Sequence, residues 1–417
     1  MKAFSEPRSR RQIGWLAMAC LWLAGLALAA HGPAIGDELV HWGQILRFLQ
    51  GDFRIYEEYL TNIPGYHWLL TAVLWPFGAQ SLAAARLVTA LFTAASVVLV
   101  HRIRRRLHRE DAQRTAALFL LLPTMYLYGF LAYTDLPALA LLLGALLASI
   151  HERHGLSALL LVASMAMRQN NVLWVVFLGV YSAWPLLCEG VLTLRARSLP
   201  TRAWWQALMQ RIWPYLLAVA CFCVYWAGNG SIAYSTAQSA YSHPDFRPDI
   251  GNPIFLLVVM ALLFPFQMLA GWKAALASGR LLPVLALATF VLLAGFFLFR
   301  VEHPSNLFSG NARNQMLLAV AAGGWPRWVF SLLAAFAAGG LALLPHLGAR
   351  ARLWLPFSIL FVAASWMIET RYTIVPITLF LLFRRPQPAW QERVMLAVWA
   401  VLALGLAGSV FDGKLLV

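Results

Sequence analysis

The sequence predicts an all-α, polytopic membrane protein, and three observations carry that prediction. Of its 417 residues 61% are hydrophobic, only 12% are charged, and apolar runs of membrane-spanning length recur from end to end. Soluble domains are about half apolar and about a quarter charged, which excludes a soluble globular chain. A disulfide scaffold is excluded as well, because four Cys cannot staple a chain this long. Cys20, Cys221 and Cys223 lie inside apolar runs and read as core thiols.

The first apolar run, 12–30, follows Lys2, Arg8, Arg10 and Arg11. Its A-L-A-A-H end resembles a cleavage site, but the run is long for a signal core. It is read as an uncleaved first helix with a cytoplasmic N-terminus. Twelve further spans are expected at 82–100, 115–131, 136–150, 156–168, 171–187, 212–227, 253–271, 281–299, 328–346, 353–368, 372–383 and 394–411. The apolar segment 64–77 is short and bounded by Pro64 and Pro76, so it is expected to be a membrane-surface or re-entrant helix. No internal repeat or linker divides the chain, and residues 1–417 are taken as one domain.

A net charge of +15 in a soluble chain points to nucleic acid; here the positive-inside rule offers another account. The loops assigned to the inner side hold 22 of the 32 Lys+Arg and six of the 17 acids. That leaves the inner side at +16 and the outer side at −1, so the basic excess is a topology signal. The long outer segments are 31–81, 228–252 and 300–327, and they carry most of the mixed polar residues. Any chemistry is expected there.

G-D-E-L-V-H opens the first outer segment, ahead of an expected helix through Phe48. Asp37 and Glu38 complement the dipole of that helix, or else present a carboxylate able to take a proton from an alcohol. Asp37 and His41 share a face at i,i+4, yet no third ligand stands near enough in sequence to imply a metal. Asp135 either caps the helix it begins or faces the same cavity as Tyr133 and the Y-L-T-N-I-P-G stretch with Asn62. M-R-Q-N-N places Arg168, Gln169, Asn170 and Asn171 between two apolar runs with almost no loop to solvate them. The guanidinium fork of Arg168 suits a phosphate. Further along stand Arg300, His303 and Arg313, then Glu369 and Arg371; the last two form a structural ion pair, or Arg371 and Arg313 hold an anionic headgroup. No Walker, G-x-S-x-G, H-E-x-x-H or D-x-D motif occurs, so soluble-nucleotide, serine-hydrolase and metalloprotease chemistry lack support.

An acidic pair after the first span, a juxtamembrane helix, many spans and a polar outer face resemble the GT-C class of membrane glycosyltransferases. Within it, the chain is similar to the dolichyl-phosphate-glucose-dependent α-1,2-glucosyltransferase family, which completes the N-glycan precursor. The matching stretches are D-E-L-V-H, T-N-I-P-G, L-P-T-M-Y-L-Y with L-A-Y-T-D, R-Q-N-N-V-L-W, G-N-G-S-I, N-A-R-N and E-T-R-Y-T-I-V-P, in family order. The resemblance implies a GT-C-like bundle of about 13 transmembrane helices. It also implies inverting transfer from a polyprenyl-phosphate sugar to a lipid-linked or surface glycan, without metal, soluble nucleotide or other cofactor. Asp37 matches the base and Glu38 its acidic neighbour, while Arg168, Arg313 and Arg371 match arginines near the donor phosphate. His41, Asn62, Tyr133, Asp135, Gln169, Asn170, His303 and Glu369 are the expected substrate contacts.

The chain departs from that family in its short inner loops and Arg/Ala-rich composition, which look bacterial. A bacterium supplies undecaprenyl-phosphate sugars, and its acceptor need not be an N-glycan precursor. The expected location is therefore a bacterial inner membrane with the site on the periplasmic face, or the lumenal face of the endoplasmic reticulum in a eukaryote. Two competing classes are a lipid-linked oligosaccharide flippase and an outer-face polysaccharide polymerase or ligase. The first calls for repeated halves, the second for a large outer loop with paired arginines.

Overall fold

The computed structural model describes residues 8–55, 60–195, 197, 199–234 and 247–415, so Tyr59 and Asp245 lie outside the described residues. The chain is helical because a bilayer offers the backbone no hydrogen-bond partner but itself. Among the described residues the one β pairing is an isolated bridge between His346 and Arg384. The helices run α1 (Arg8–His31), α2 (Glu38–Leu49), α3 (Gly65–Leu74), α4 (Leu82–Leu107), α5 (Ala112–Leu120), α6 (Pro123–Tyr128), α7 (Asp135–Ile150), α8 (His154–Met167), α9 (Val172–Arg195) and α10 (Arg202–Asn229). Gly251–Leu263, Pro265–Ala277, Leu281–Leu298, Ala312–Ala322, Gly324–Ala342, Trp354–Ala363, Ile374–Phe383 and Ala389–Phe411 follow.

Every expected span has a helical counterpart, but the count of thirteen is not reached. Among the described residues six helices are long and apolar enough to cross a membrane, or eight if two bent pairs each count as one. Gly251–Leu263 turns by 98° into Pro265–Ala277, and Ala312–Ala322 by 102° into Gly324–Ala342. Pro265 supplies no N–H and disfavours helical geometry at Phe264, which takes φ −129°. At the second bend Gly323 stands at φ +95°, which only glycine adopts without strain. Pro123 likewise divides the expected span 115–131 into α5 and α6.

The segment 64–77 forms α3 and a short turn, Trp75–Phe77, with Trp68, Trp75 and Phe77 exposed. Gly65 lets α3 touch α8, since a Cβ there would stand 2.4 Å from the Ala166 carbonyl. The expected core thiols are a correction: Cys20, Cys188, Cys221 and Cys223 are all free and exposed. A chain whose outer surface meets lipid can carry apolar side chains outward, so apolarity alone does not mark the core.

Helix α4 joins two ends of the molecule that differ in character. Arg86 lies in its second turn and Arg104 near its far end, about 27 Å away at 1.5 Å per residue. At the far end Arg104 Nε donates to Asp111 Oδ1 at 2.8 Å, and Nη1 donates to the carbonyls of Leu382 and Arg384 at 2.7 and 2.9 Å. There too Arg384 Nη2 donates to Glu392 Oε2 at 2.8 Å. The basic run 101–109 belongs to this end. The near end carries residues of the long segments 31–81 and 300–327.

Candidate active site

The site begins at a turn. Gly36 at φ +52° reverses the chain, and a Cβ there would come within 2.7 Å of the Tyr133 hydroxyl. That hydroxyl accepts from Asp37 N at 2.8 Å and donates to the Ile35 carbonyl at 3.0 Å, so both sides of the turn hang on one phenol. Asp37 is the N-cap residue of α2, yet its side chain makes no capping bond. The carboxylate instead reaches Arg371, with Nη1 2.9 Å from Oδ2, and remains 54% exposed at the edge of a cavity. Asp37 thus stands at the start of α2, where it still complements the helix dipole, with its carboxylate turned to Arg371 rather than to a backbone N–H.

The cavity holds about 380 Å3, and Asp37, Tyr128, Tyr133, Arg313, Glu369 and Arg371 line it. Arg371 Nη2 lies 3.6 Å from Glu369 Oε2, and the Tyr133 ring centroid is 5.0 Å from the guanidinium carbon. Arg313 pairs with the other oxygen of Glu369. On its far side Arg371 borders a small pocket shared with Asp135 and Arg168, which pair with each other. Asp135 Oδ2 is buried without a hydrogen-bond partner, and Asp135 makes no capping bond. Three arginines and three carboxylates thus pair with one another across two adjoining pockets. Arg371 is the largest influence on Asp37 and holds its carboxyl below the usual range. Burial works against the charge on Glu369, but Arg371 and Arg313 together outweigh it and keep that carboxyl low as well.

Two buried amides place the segment that carries Glu369 and Arg371, and a third holds the loop ahead of Arg313. Asn252 Nδ2 donates to the carbonyls of Ser365 and Met367 at 2.8 and 2.7 Å, and Glu369 N donates to Asn252 Oδ1 at 3.2 Å. Asn306 pairs with Ile368 through both backbone groups at 2.9 Å. Asn314 Nδ2 donates to the carbonyls of Ser305 and Phe308 at 2.8 Å. Each amide meets backbone that no helix satisfies, which is why these loops keep one shape.

The other expected residues divide by position. Glu38 is fully buried and its oxygens are taken by Arg86 Nε at 2.9 Å, Ala132 N at 2.7 Å and Ile35 N at 2.9 Å. It faces away from the cavity and braces the turn. His41 is buried one turn behind Asp37, with Nδ1 3.1 Å from His67 Nε2. Gln169 Nε2 donates to the Thr61 carbonyl at 2.7 Å and so pins the segment holding Asn62, which is itself half-buried. Asn170 is half-buried, whereas Asn171 is buried and donates to Ser164 Oγ at 2.8 Å. His303 is buried against Trp366 and accepts from Ser305 N at 3.1 Å, so it shapes the loop rather than the cavity wall. Among the described residues no group of three His, Cys, Asp or Glu side chains is arranged to hold a metal.

Sequence reasoning passed over Arg86, His67, Asn252, Asn306 and Asn314. Arg86 had a signal, being a lone cation inside the apolar run 82–100. The three asparagines had none that separates them from ordinary loop residues.

Residues 33–382 match the DIE2/ALG10 family. A relative from Rattus norvegicus, Dol-P-Glc:Glc(2)Man(9)GlcNAc(2)-PP-Dol alpha-1,2-glucosyltransferase, is 24% identical over 268 residues, covering 53% of this chain and 56% of the relative. The Arabidopsis thaliana protein of the same name is 29% identical over 175 residues, covering 37% of this chain and 33% of that one. The chain therefore spans about half the length of the curated relatives it matches. Among solved structures, ArnT from Cupriavidus metallidurans bound to undecaprenyl phosphate aligns over 96% of this chain and 77% of its own, with 13% identity and a TM-score of 0.41.

Proposed function

The chain belongs to the DIE2/ALG10 family, and from that premise we propose that it is an inverting, GT-C-type glycosyltransferase. Its donor is a polyprenyl-phosphate sugar, glucose by the names of its relatives, and the new bond is an α-1,2 linkage to a lipid-linked or surface glycan. The observation that carries the reading is Asp37, an exposed carboxylate on a polar cavity that Arg313 and Arg371 also line.

The chemistry runs on residues already placed. Asp37 takes the proton of the acceptor hydroxyl as its oxygen attacks the anomeric carbon. The departing phosphate needs cations, which Arg371, Arg313 and Arg168 supply. Each of these is paired with a carboxylate, so a donor phosphate competes with Asp37 for Arg371. Once Arg371 turns to phosphate, Asp37 loses the cation that keeps its carboxyl acidic and becomes the stronger base. Glu38, saturated by Arg86 and two backbone N–H groups, braces the turn and takes no proton. His41, Tyr133 and Glu369 complete the surroundings of the reacting groups, and no cofactor is required.

By the positive-inside rule the Arg-rich far end of α4 supports an inner position for that end and an outer-face position for the cavity. In a bacterium that is the periplasmic face of the inner membrane. The test is release of lipid phosphate from undecaprenyl- or dolichyl-phosphate glucose, mannose and arabinose by purified protein in vesicles with acceptor extract. Release from the glucose donor that vanishes in Asp37→Asn is the expected result. No release from any donor, with or without translocation of the intact lipid, sinks the transferase reading.

A further inference from the structure

The exposed side of α4 changes chemistry within one turn. Its exposed residues are Leu87, Leu91, Ala95 and Val98, followed by Arg102, Arg105 and Arg106. Spacings of three and four keep all seven on one stripe. The first four are apolar and suit acyl chains; the last three are cations. Arg102 stands about 6 Å beyond Val98 along the axis, and Arg106 about 6 Å further.

Arg104 settles which way this end faces. It is buried, donating to Asp111 and to the carbonyls of Leu382 and Arg384, and Ile103 beside it is buried too. At about 3.6 residues per turn, Arg102 and Arg106 lie about 160° around the helix from Arg104. They cannot share its partners without unwinding the last turn. Among the described residues no carboxylate pairs with Arg102, Arg105 or Arg106, and Asp111, close in sequence, is taken by Arg104 and His108.

Depth points to what these cations meet. The 26 residues of α4 span about 39 Å, against a hydrocarbon core of about 30 Å. The apolar part of the stripe marks the acyl region, so the last turn reaches the depth of the lipid headgroups. Residues three and four apart hold their Cβ atoms about 5–6 Å apart, near enough for two guanidinium forks to close on one phosphate. We infer that this face of α4 binds an anionic phospholipid, with an acyl chain along Leu91, Ala95 and Val98 and the headgroup phosphate held by Arg102, Arg105 and Arg106. The positive-inside rule accounts for cations at one end of the molecule; it does not require them to line the lipid side of a span next to an apolar stripe. Such binding needs only that α4 crosses a bilayer, and it is independent of the transferase reading. The bound lipid grips the helix whose other end carries Arg86, and through Arg86 the Glu38 carboxylate under the Asp37 turn.

The test uses the full chain in vesicles of equal parts phosphatidylcholine and phosphatidylglycerol, each lipid in turn carrying a photoactivatable acyl chain. Cross-links are mapped by peptide mass spectrometry. On the peptide holding residues 91–98 the phosphatidylglycerol label is expected to exceed the phosphatidylcholine label about fivefold, and to decline with added salt. Arg102→Gln, Arg105→Gln and Arg106→Gln together should bring the ratio to within about twofold of parity. Replacing the exposed Arg195, Arg202 and Arg393 by Gln in the same way should leave it unchanged. Inorganic phosphate at matched ionic strength should not displace the label, because it has no chain to lay along the apolar stripe. Equal labelling by the two lipids in wild type, or an equal fall in both triple variants, overturns the site, as does displacement by inorganic phosphate. The wild-type ratio decides the matter even where a triple variant fails to fold.

Discussion

The two ends of α4 use the same residue types for opposite purposes. At the far end Arg104 is fully buried, Asp111 is 5% exposed, and two backbone carbonyls complete the guanidinium. Arg384 and Glu392 are closed just as tightly. At the cavity end Arg371 is 11% exposed and its partner Asp37 is 54% exposed. A closed pair with no face open to a ligand can only hold structure. An open pair beside a cavity can exchange partners, and exchange is what binding an anion requires. Arg86 and Glu38 sharpen the point, because they sit at the cavity end yet are closed, at 1% and 0% exposure. Position in the molecule matters less than whether the pair has a free side.

That contrast can be broken experimentally. The largest effect is expected from Asp37→Asn, which removes the open carboxylate: transfer should fall by about 10²–10⁴-fold while the thermal midpoint and size-exclusion profile stay as in wild type. Next come the closed pairs. Asp111→Ala or Glu38→Ala leaves a buried arginine uncompensated and should cost about 3–5 kcal/mol, read as loss of the folded fraction in detergent. Arg371→Gln should raise the donor KM by about tenfold and, by removing the main cause of the low Asp37 carboxyl, shift the acid limb of kcat/KM upward. For stability the sign follows from a depressed native carboxyl: its contribution is full above the unfolded value, falls progressively as pH drops below it, and is gone below the lower folded one. Wild type should therefore lose more stability than Asp37→Asn as pH falls below the ordinary carboxylate range, and a pH series of melting curves checks it. The smallest effect belongs to Glu152→Gln, whose partner Arg211 is 3.3 Å away and whose carboxylate is 72% exposed. Its midpoint should move by less than about 0.5 kcal/mol equivalent.

Much of the architecture was legible because a bilayer writes itself into sequence as apolar length. The runs at 82–100, 212–227 and 281–299 each find one helix, with ends extended or shifted. The bends escaped because an apolar average does not register the residue that breaks it: Pro265 and the Gly323–Gly324 pair lie within or beside runs that read as continuous. Charge in apolar surroundings was the more informative signal for the site. It singled out Arg168, Arg313 and Arg371, which the structure gathers around two adjoining pockets although they come from distant parts of the chain. Glu38 could not be told from Asp37 by sequence, since adjacent residues on a helix start face different ways and only the fold shows which one meets Arg86. The asparagines that hold the 365–369 loop were invisible for a related reason. Their work is done on backbone groups far away in sequence, and backbone has no letter of its own.

The Tyr133 hydroxyl has a consequence for how the site answers a ligand. It spends its donor on Ile35 and its acceptor on Asp37 N, so the peptide that roots the carboxylate is anchored independently of Arg371. An arriving anion can therefore draw the guanidinium away and change the charge that Asp37 feels while the carboxylate's root stays where it was. The protein retunes its acid without relocating it, and the two adjustments a catalyst usually makes together are here mechanically uncoupled.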